Sequence, residues 1–250
     1  VITTILKCFL TIFLIGIITA SIVGSVLVVY VVTNFDATDD LPMLEDITNN
    51  QTSIIYVKDE KTGDWVEQQR IQGENMVWTD LKNIPLNLRN AVIAIEDERF
   101  NEHYGVDWKR TISAFANLIF HFSSQEYGGS TITQQYAERY YLGETTSYVG
   151  KLREAFLAVK IAQAQDKSQV LCNYMNTINL GQNTLGVQAA SLRYFNKDVS
   201  ELNLTECAAL AAITKNPSRF NPITEKGAEE NKKRRQTVLD KMLELKMISY

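Results

Sequence analysis

A run without a single charged side chain, from Cys8 to Phe35, constrains this chain more than any other feature. About 20 helical residues, at ~1.5 Å each, cross the apolar part of a bilayer, so this run can span it with some tilt. The apolar region of a secretory signal is usually ~7–15 residues long, which favours a retained anchor over a cleaved signal. We therefore predict one transmembrane helix within residues 1–35.

The charges that flank this run predict its orientation. Lys7 precedes it, whereas Asp36, Asp39 and Asp40 follow it. Because positive flanks tend to stay in the cytoplasm, we expect a single-pass protein of the cell membrane with its remaining domain on the extracytoplasmic face.

The remainder divides by composition into an acidic linker (36–51), a β-hairpin linker region (52–76) and a mainly helical domain (77–250). Residues 52–57 are rich in β-formers, residues 61–64 resemble a turn, and Trp65 resumes the strand pattern. A net charge of −4 argues against a general nucleic-acid binder. Three cysteines without C-x-x-C spacing predict neither a zinc framework nor a disulfide scaffold.

Helix-start signals recur through the last domain. Asp107 is a candidate N-cap, and Thr131 with Gln134 fits a capping box. Ser168 and Thr205 mark two further helix starts, and the last helix is expected at about 226–247.

The first cluster with chemical potential is EDERFNEHYGVD (96–107). Glu96 follows the apolar stretch AVIAI (91–95), so its carboxylate is expected partly out of water, a setting suited to proton transfer. Arg99, one turn later, could orient Glu96 or Asp97, or form only a surface ion pair. The alternative is a helix that turns polar as it reaches the surface.

Two further segments add polar and charged groups. In GGSTITQQ (128–135), two glycines lead into a capped helix start, which predicts an anion site, although a plain capped helix explains the pattern equally well. In KLREAFLAV (151–159), Glu154 heads an apolar stretch beside Lys151 and Arg153, which could meet a phosphate. An ordinary helix start with mixed charges is the alternative there.

Five segments together resemble the peptidoglycan glycosyltransferases, the glycosyltransferase module of class A penicillin-binding proteins and their monofunctional relatives. They occur in the family's order and approximate spacing: EDERFNEHYGVD (96–107), GGSTITQQ (128–135), KLREAFLAVKIA (151–162), NYMNTINLGQNTLGVQAASLRYFNK (173–197) and LTECAALAAITKNPSRFNP (204–222).

This resemblance implies a mainly α, lysozyme-like glycosyltransferase domain over 77–250. The implied reaction polymerises lipid II into β-1,4 glycan strands by inverting displacement of undecaprenyl pyrophosphate. Glu96 matches the general base and Glu154 the second catalytic carboxylate. A divalent cation (Mg or Mn) is expected to assist Glu154, and no organic cofactor is expected. The expected substrate-binding residues are Asp97, Arg99, Ser130, Thr131, Gln134, Gln135, Arg139, Lys151 and Arg153.

The resemblance also implies partners: lipid II, the nascent glycan strand, the membrane and cell-wall synthesis proteins, but no nucleic acid. Five apolar residues of a membrane-facing jaw could dip into lipid, namely Phe115, Leu118, Ile119, Phe120 and Phe122; an ordinary core helix is the alternative. No Ser-x-x-Lys or Ser-x-Asn motif occurs, so a C-terminal transpeptidase module is expected to be missing from a fragment, or the chain is a monofunctional relative.

Several positions depart from the family pattern. Glu138 stands where the family usually has a lysine after the paired glutamines, and Gly150 and Ser113 stand where it usually has arginines. Ala162 and Cys172 stand at two positions that are usually acidic. A degenerate, non-catalytic membrane domain that binds lipid II or partner proteins is therefore an alternative function. A lytic enzyme that cleaves the same glycan with one acidic glutamate is another.

Overall fold

A computed structural model describes residues 2–34, 53–58, 65–71, 75–120, 129–142 and 147–249. The chain forms two compact units, 1–41 and 42–250. The predicted acidic linker (36–51) and the hairpin turn (61–64) lie outside the described residues.

The first unit contains one helix, α1 (Ile2–Asn34). It is apolar on all sides, and the described side chains of its central stretch are exposed. At ~1.5 Å per residue its 33 residues exceed the ~30 Å apolar thickness of a bilayer. A helix long and apolar enough to cross a membrane is therefore present, as the sequence predicts.

The predicted hairpin is confirmed. Strand β1 (Ser53–Lys58) pairs antiparallel with β2 (Trp65–Ile71), with an irregularity between Ile55 and Tyr56. Farther along, β3 (Asn75–Met76) pairs in parallel with β4 (Thr184–Leu185), which ties the start of the helical region to its middle.

The rest of the described second unit is helical, so a mainly α architecture is confirmed. The helices are α2 (Leu86–Glu96), α3 (Trp108–Phe120), α4 (Ile132–Ala137), α5 (Tyr148–Ala164), α6 (Lys167–Thr177), α7 (Val187–Phe195), α8 (Leu204–Ile213) and α9 (Glu225–Glu244). Single 3-10 turns occupy Leu81–Asn83 and Val199–Glu201, and a π-helical turn, Glu138–Leu142, follows α4 directly.

Capping side chains begin most of these helices. Asp107 accepts a hydrogen bond from the Arg110 amide, and Thr131 with Gln134 forms the expected capping box. The prediction at Ser168 is wrong by two residues, because Asp166 caps α6 and pairs with Gln169 in a capping box. A carboxylate at that position competes well with a serine hydroxyl for the free amides.

The core surrounds α8, whose residues Cys207–Ile213 are all buried. Helix α8 packs against α2 and α9, while α4 packs against α5 and α6. A helix that is apolar on every side is stable only when other elements cover it completely. This packing fixes the end of α2, where Glu96 lies.

Candidate active site

Glu96 is the last residue of α2, and its half-buried carboxylate is held from two sides. The Thr214 hydroxyl donates to Oε1 at 2.5 Å, and Gln135 Nε2 donates to Oε2 at 2.8 Å. Two neutral donors fix the direction of the carboxylate without adding a charge, which suits a group that has to accept a proton.

Tyr174 orients the glutamine that holds Glu96. Its hydroxyl donates to Gln135 Oε1 at 3.1 Å, so the amide nitrogen of Gln135 points toward Glu96. Tyr174 is fully buried, and burial raises the pKa of its hydroxyl well above the usual value. The phenol therefore remains a neutral donor throughout the physiological range.

Glu154 is the second carboxylate, on α5, and it is fully buried. It accepts from Lys151 Nζ at 2.5 Å, from Gln134 Nε2 at 3.3 Å and from Ser130 Oγ at 3.4 Å. Burial raises the pKa of Glu154, and the hydrogen bond and attraction from Lys151 only partly offset this.

Consecutive glutamines connect the two carboxylates. Gln134 binds Glu154 and Gln135 binds Glu96, both from the first turns of α4. Neighbouring residues of a helix point about 100° apart, so the two carboxylates flank the same helix start. The structure thus brings together Glu96, Glu154, Ser130, Gln134, Gln135 and Lys151, all of which the sequence predicts for the site.

Lys151 contacts a second carboxylate, that of Glu138 in the π-helical turn, with Nζ and Oε1 3.2 Å apart. Burial lowers the pKa of Lys151, but its hydrogen bonds and attraction to Glu154 and Glu138 outweigh this and raise it overall. Its ammonium therefore stays charged and serves two carboxylates at once. The departure at Glu138 accordingly places an extra negative charge beside the cation.

Asp97 and Thr131 lie inside the protein. Asp97 is fully buried and accepts from the Ile132 amide at 3.0 Å and from His103 Nε2 at 3.0 Å. Thr131, also fully buried, donates its hydroxyl to the Gly105 carbonyl. That both bind substrate stays a prediction. Their buried contacts join the end of α2 to the start of α4, which gives them a positioning role.

At the start of α4, two of the backbone amides that could form the predicted anion site are already bonded. The Ile132 amide binds Asp97, and the Gln134 amide binds the Thr131 hydroxyl. These two amides are therefore not available to a phosphate.

The arginines of the predicted set occupy different places. Arg99 binds Asp107 in an ion pair and not Glu96 or Asp97; that pairing lowers the pKa of Asp107 against the opposing effect of burial. Arg139 is exposed on the π-helical turn, and Arg153 is half-buried beside Glu154. Arg110 donates to the Glu96 backbone carbonyl at 2.6 Å.

Three residues near Glu96 were not predicted: Thr214, Tyr174 and Arg234. Burial lowers the pKa of Arg234 on α9, and attraction to Glu96 opposes that change. Arg234 lies 138 positions from Glu96 in the sequence, so no local pattern could have indicated it. Thr214 and Tyr174 fall within segments that carry the family resemblance, which is the only signal they offered.

The remaining departures have simpler surroundings. Gly150 is buried in the first turn of α5, where its amide binds Ser147, and Ser113 is exposed on α3. Cys172 is half-buried against the Thr79 carbonyl. No group of three or more His, Cys, Asp or Glu able to hold a metal occurs among the described residues.

Two carboxylates and a cation around one helix start can supply acid-base chemistry and charge stabilisation, which are the means that glycan-processing enzymes use. Comparison with known proteins identifies the family. The profile of the transglycosylase family matches residues 62–243. The chain therefore belongs to the transglycosylase family, and the expected peptidoglycan glycosyltransferase module is confirmed.

Individual relatives agree with this assignment. Penicillin-binding protein 1A of Neisseria lactamica is 41% identical over 214 residues, which cover 84% of this chain and 26% of that protein. Penicillin-binding protein 1A of Clostridium perfringens (strain 13 / Type A) is 36% identical over 247 residues, 96% of this chain and 35% of that protein. The chain thus spans about a quarter to a third of these relatives.

A crystal structure of penicillin-binding protein 1A from Haemophilus influenzae aligns with 80% of this chain and 19% of that one. The alignment has 22% identity and a TM-score of 0.43.

Proposed function

We propose that this domain polymerises lipid II into β-1,4 glycan strands, with Glu96 as general base and undecaprenyl pyrophosphate as leaving group. The observation that carries the proposal is the contrast between two carboxylates on one helix start. Glu96 is half-buried and held by neutral donors, whereas Glu154 is fully buried beside a cation.

Glu96 would accept the proton of the acceptor sugar's 4-hydroxyl as that oxygen attacks the anomeric carbon of the growing chain. The bond between that carbon and the diphosphate oxygen breaks at the same time, with inversion and without a covalent enzyme intermediate. Thr214 and Gln135 keep the carboxylate in place during the transfer. Positioning of this kind and base catalysis together supply much of the acceleration.

Lys151 and Arg153 would meet the negative charge that develops on the departing diphosphate. The Lys151 side chain is 46% exposed, so its ammonium can reach a ligand while it stays anchored on buried Glu154. Cations placed in advance at a leaving group are usually a large part of transition-state stabilisation.

A divalent cation was expected near Glu154. Glu154 and Glu138 are the two carboxylates at this position, and the Lys151 ammonium lies between them. The described residues therefore fit an ammonium better than a resident metal, and a cation would enter only with the diphosphate.

Membrane attachment belongs to the same proposal. Helix α1 would anchor the chain with the catalytic domain on the extracytoplasmic face, close to a lipid-borne substrate. Trp108 and Ile112 on α3 are 60% and 65% exposed, which suits contact with lipid. The predicted jaw side chains Phe115, Leu118, Ile119, Phe120 and Phe122 lie outside the described side chains. A C-terminal transpeptidase module and cell-wall synthesis proteins remain proposed partners.

The test is to incubate the whole chain, in detergent or vesicles, with labelled lipid II. Wild type should yield long glycan strands, and Glu96→Gln should abolish them because an amide cannot take the proton. Glu98→Gln is the matched control, since Glu98 is two residues away, exposed and paired with Lys241. Undiminished polymer from Glu96→Gln would refute the assigned base.

The non-catalytic alternative rests on one observation, the extra carboxylate of Glu138 beside Lys151. Binding of lipid II without turnover by the wild-type chain would favour that alternative. Breakdown of preformed strands would instead indicate a lytic enzyme.

A further inference from the structure

A pocket of about 240 Å3 shares none of its lining residues with the site around Glu96 and Glu154. It lies where α4, the end of α5 and the start of α6 meet. Ala162 and Val170 form apolar walls, and Tyr104, 82% exposed, lies at the surface end. At ~30 Å3 per water molecule, the volume equals about eight waters, the size of a small molecule such as an acylated amino acid.

Thr133 of α4 lines this pocket and is fully buried. Its hydroxyl has no hydrogen-bond partner within the described part of the chain. Threonine inside a helix commonly donates to the carbonyl one turn earlier, and here it does not. A buried hydroxyl without a partner costs stability, so its presence calls for a role other than folding.

Lys167, the first residue of α6, supplies a second donor of this kind. Its buried ammonium lies 4.3 Å from the centroid of the Phe100 ring and has no acceptor among the described residues. Burial lowers the pKa of Lys167, and attraction to Asp97 opposes this. An aromatic face attracts an ammonium but does not replace a hydrogen-bond acceptor.

Two other polar side chains of the pocket each have a bonded oxygen. Asp166 accepts from the Gln169 amide as the cap of α6, and Gln165 accepts from Asn173. The pocket therefore has two buried donors, Thr133 and Lys167, with nothing in the described chain to accept from them. The exposed Asp166 carboxylate at the same pocket disfavours a dianion such as phosphate.

We propose that this pocket is a second binding site, which takes a singly charged carboxylate on a body of about amino-acid size. The carboxylate accepts from Lys167 Nζ and Thr133 Oγ1, and the apolar part of the ligand packs against Ala162 and Val170. Thr133 stands between Ile132, whose amide binds Asp97, and Gln134, which binds Glu154. A ligand here therefore contacts the helix that holds both carboxylates of the proposed active site.

The test measures binding of N-acetylalanine to the whole chain in detergent micelles by ligand-observed NMR. The amide of N-acetylalanine is similar in size but uncharged, and its affinity should be lower by a factor of about ten or more. Lys167→Met should reduce N-acetylalanine binding to the level of the amide, and Thr133→Val should weaken it several-fold. Lys160→Met is the matched control, because Lys160 also lies over an aromatic ring, that of Phe156, but does not line the pocket.

Stability separates a binding role from a structural one. Both Thr133→Val and Lys167→Met remove a buried polar group without a partner, so the Tm should stay the same or rise. Equal binding of N-acetylalanine and its amide, unchanged binding in Lys167→Met, or a lower Tm in Thr133→Val would overturn the proposal. The readouts are binding and Tm, so they stand apart from the success or failure of polymerisation.

Discussion

Replacing Glu138 by glutamine tests how the charge around Lys151 sets substrate affinity. The change removes one negative charge and keeps the size of the side chain. Lys151 would retain Glu154 as its anchor, but its ammonium would no longer be shared with a second carboxylate. We expect Glu138→Gln to bind lipid II more tightly, because an incoming diphosphate no longer competes with that carboxylate.

The size of the effect follows from distance and exposure. Two unit charges 3.2 Å apart interact by about 1.3 kcal/mol in bulk water and by about 5 kcal/mol at an effective dielectric constant of 20. The Lys151 side chain is 46% exposed and that of Glu138 is 22% exposed, so solvent screens the pair strongly. Exposed pairs of this kind contribute about 0.2–1 kcal/mol. We therefore expect KM to fall roughly 1.4- to fivefold.

The assay is the initial rate of glycan synthesis at varied lipid II concentration, at low and at high salt. The decrease in KM should shrink as salt rises, because salt screens exposed charges. Glu229→Gln, which removes one exposed carboxylate from α9, controls for net charge. An unchanged or higher KM in Glu138→Gln would refute the reasoning, since the carboxylate would then not compete with substrate.

Three further substitutions and one pH profile test other parts of the domain. Glu154→Gln should lower the rate of polymerisation about 100-fold or more. The Tm at neutral pH should stay the same or rise, because burial raises the pKa of Glu154 and the charged carboxylate therefore destabilises the folded state above that pKa. The same raised pKa predicts that the ionisation of Glu154 places an acid limb of the pH–rate profile at a higher pH than an ordinary glutamate would. Glu138→Gln should move that limb to lower pH, because the Glu138 charge helps to raise the pKa of Glu154; a move to higher pH would contradict this. Thr214→Val should lower kcat about tenfold or more through loss of a hydrogen bond to a charged acceptor, and an unchanged kcat would exclude that role. Gly105→Ala should cost roughly 2–4 kcal/mol by denaturation, since φ is +86° and the new Cβ would lie 2.3 Å from the Ala158 carbonyl oxygen; Gly129→Ala, which meets only ordinary contacts, should cost little.

Local sequence patterns predict the helices well where a cap or an apolar stretch is strong. The Thr131–Gln134 capping box and the uncharged run of α1 both follow from interactions within a few residues. The start of α6 was misplaced because Asp166 and Ser168 are both good caps, and only the competition between them decides. Such competitions are set by geometry that the sequence does not display.

The sequence predicts those residues of the candidate site whose setting is determined by their immediate neighbours in the chain. Glu96 and Glu154 stand where apolar segments meet charged ones, and that pattern is visible in the sequence. The sequence does not reveal the buried contact of Thr131, because a threonine that contacts substrate and one that contacts a buried carbonyl look the same in a sequence. Thr214 reaches Glu96 from 118 residues away, and only the folded chain brings them together.

The buried hydrogen bonds of Asp97 and Thr131 make one part of the site more rigid than the other. Asp97 accepts from the Ile132 amide, and Thr131 donates to the Gly105 carbonyl. The end of α2 that carries Glu96 therefore cannot shift relative to α4 without breaking buried hydrogen bonds. Lys151, by contrast, is joined to Glu138 through a solvated ion pair that rearranges at little cost. A polymerase has to let its product slide forward after each addition. Here the proton acceptor would stay still while the cationic side yields to the moving strand.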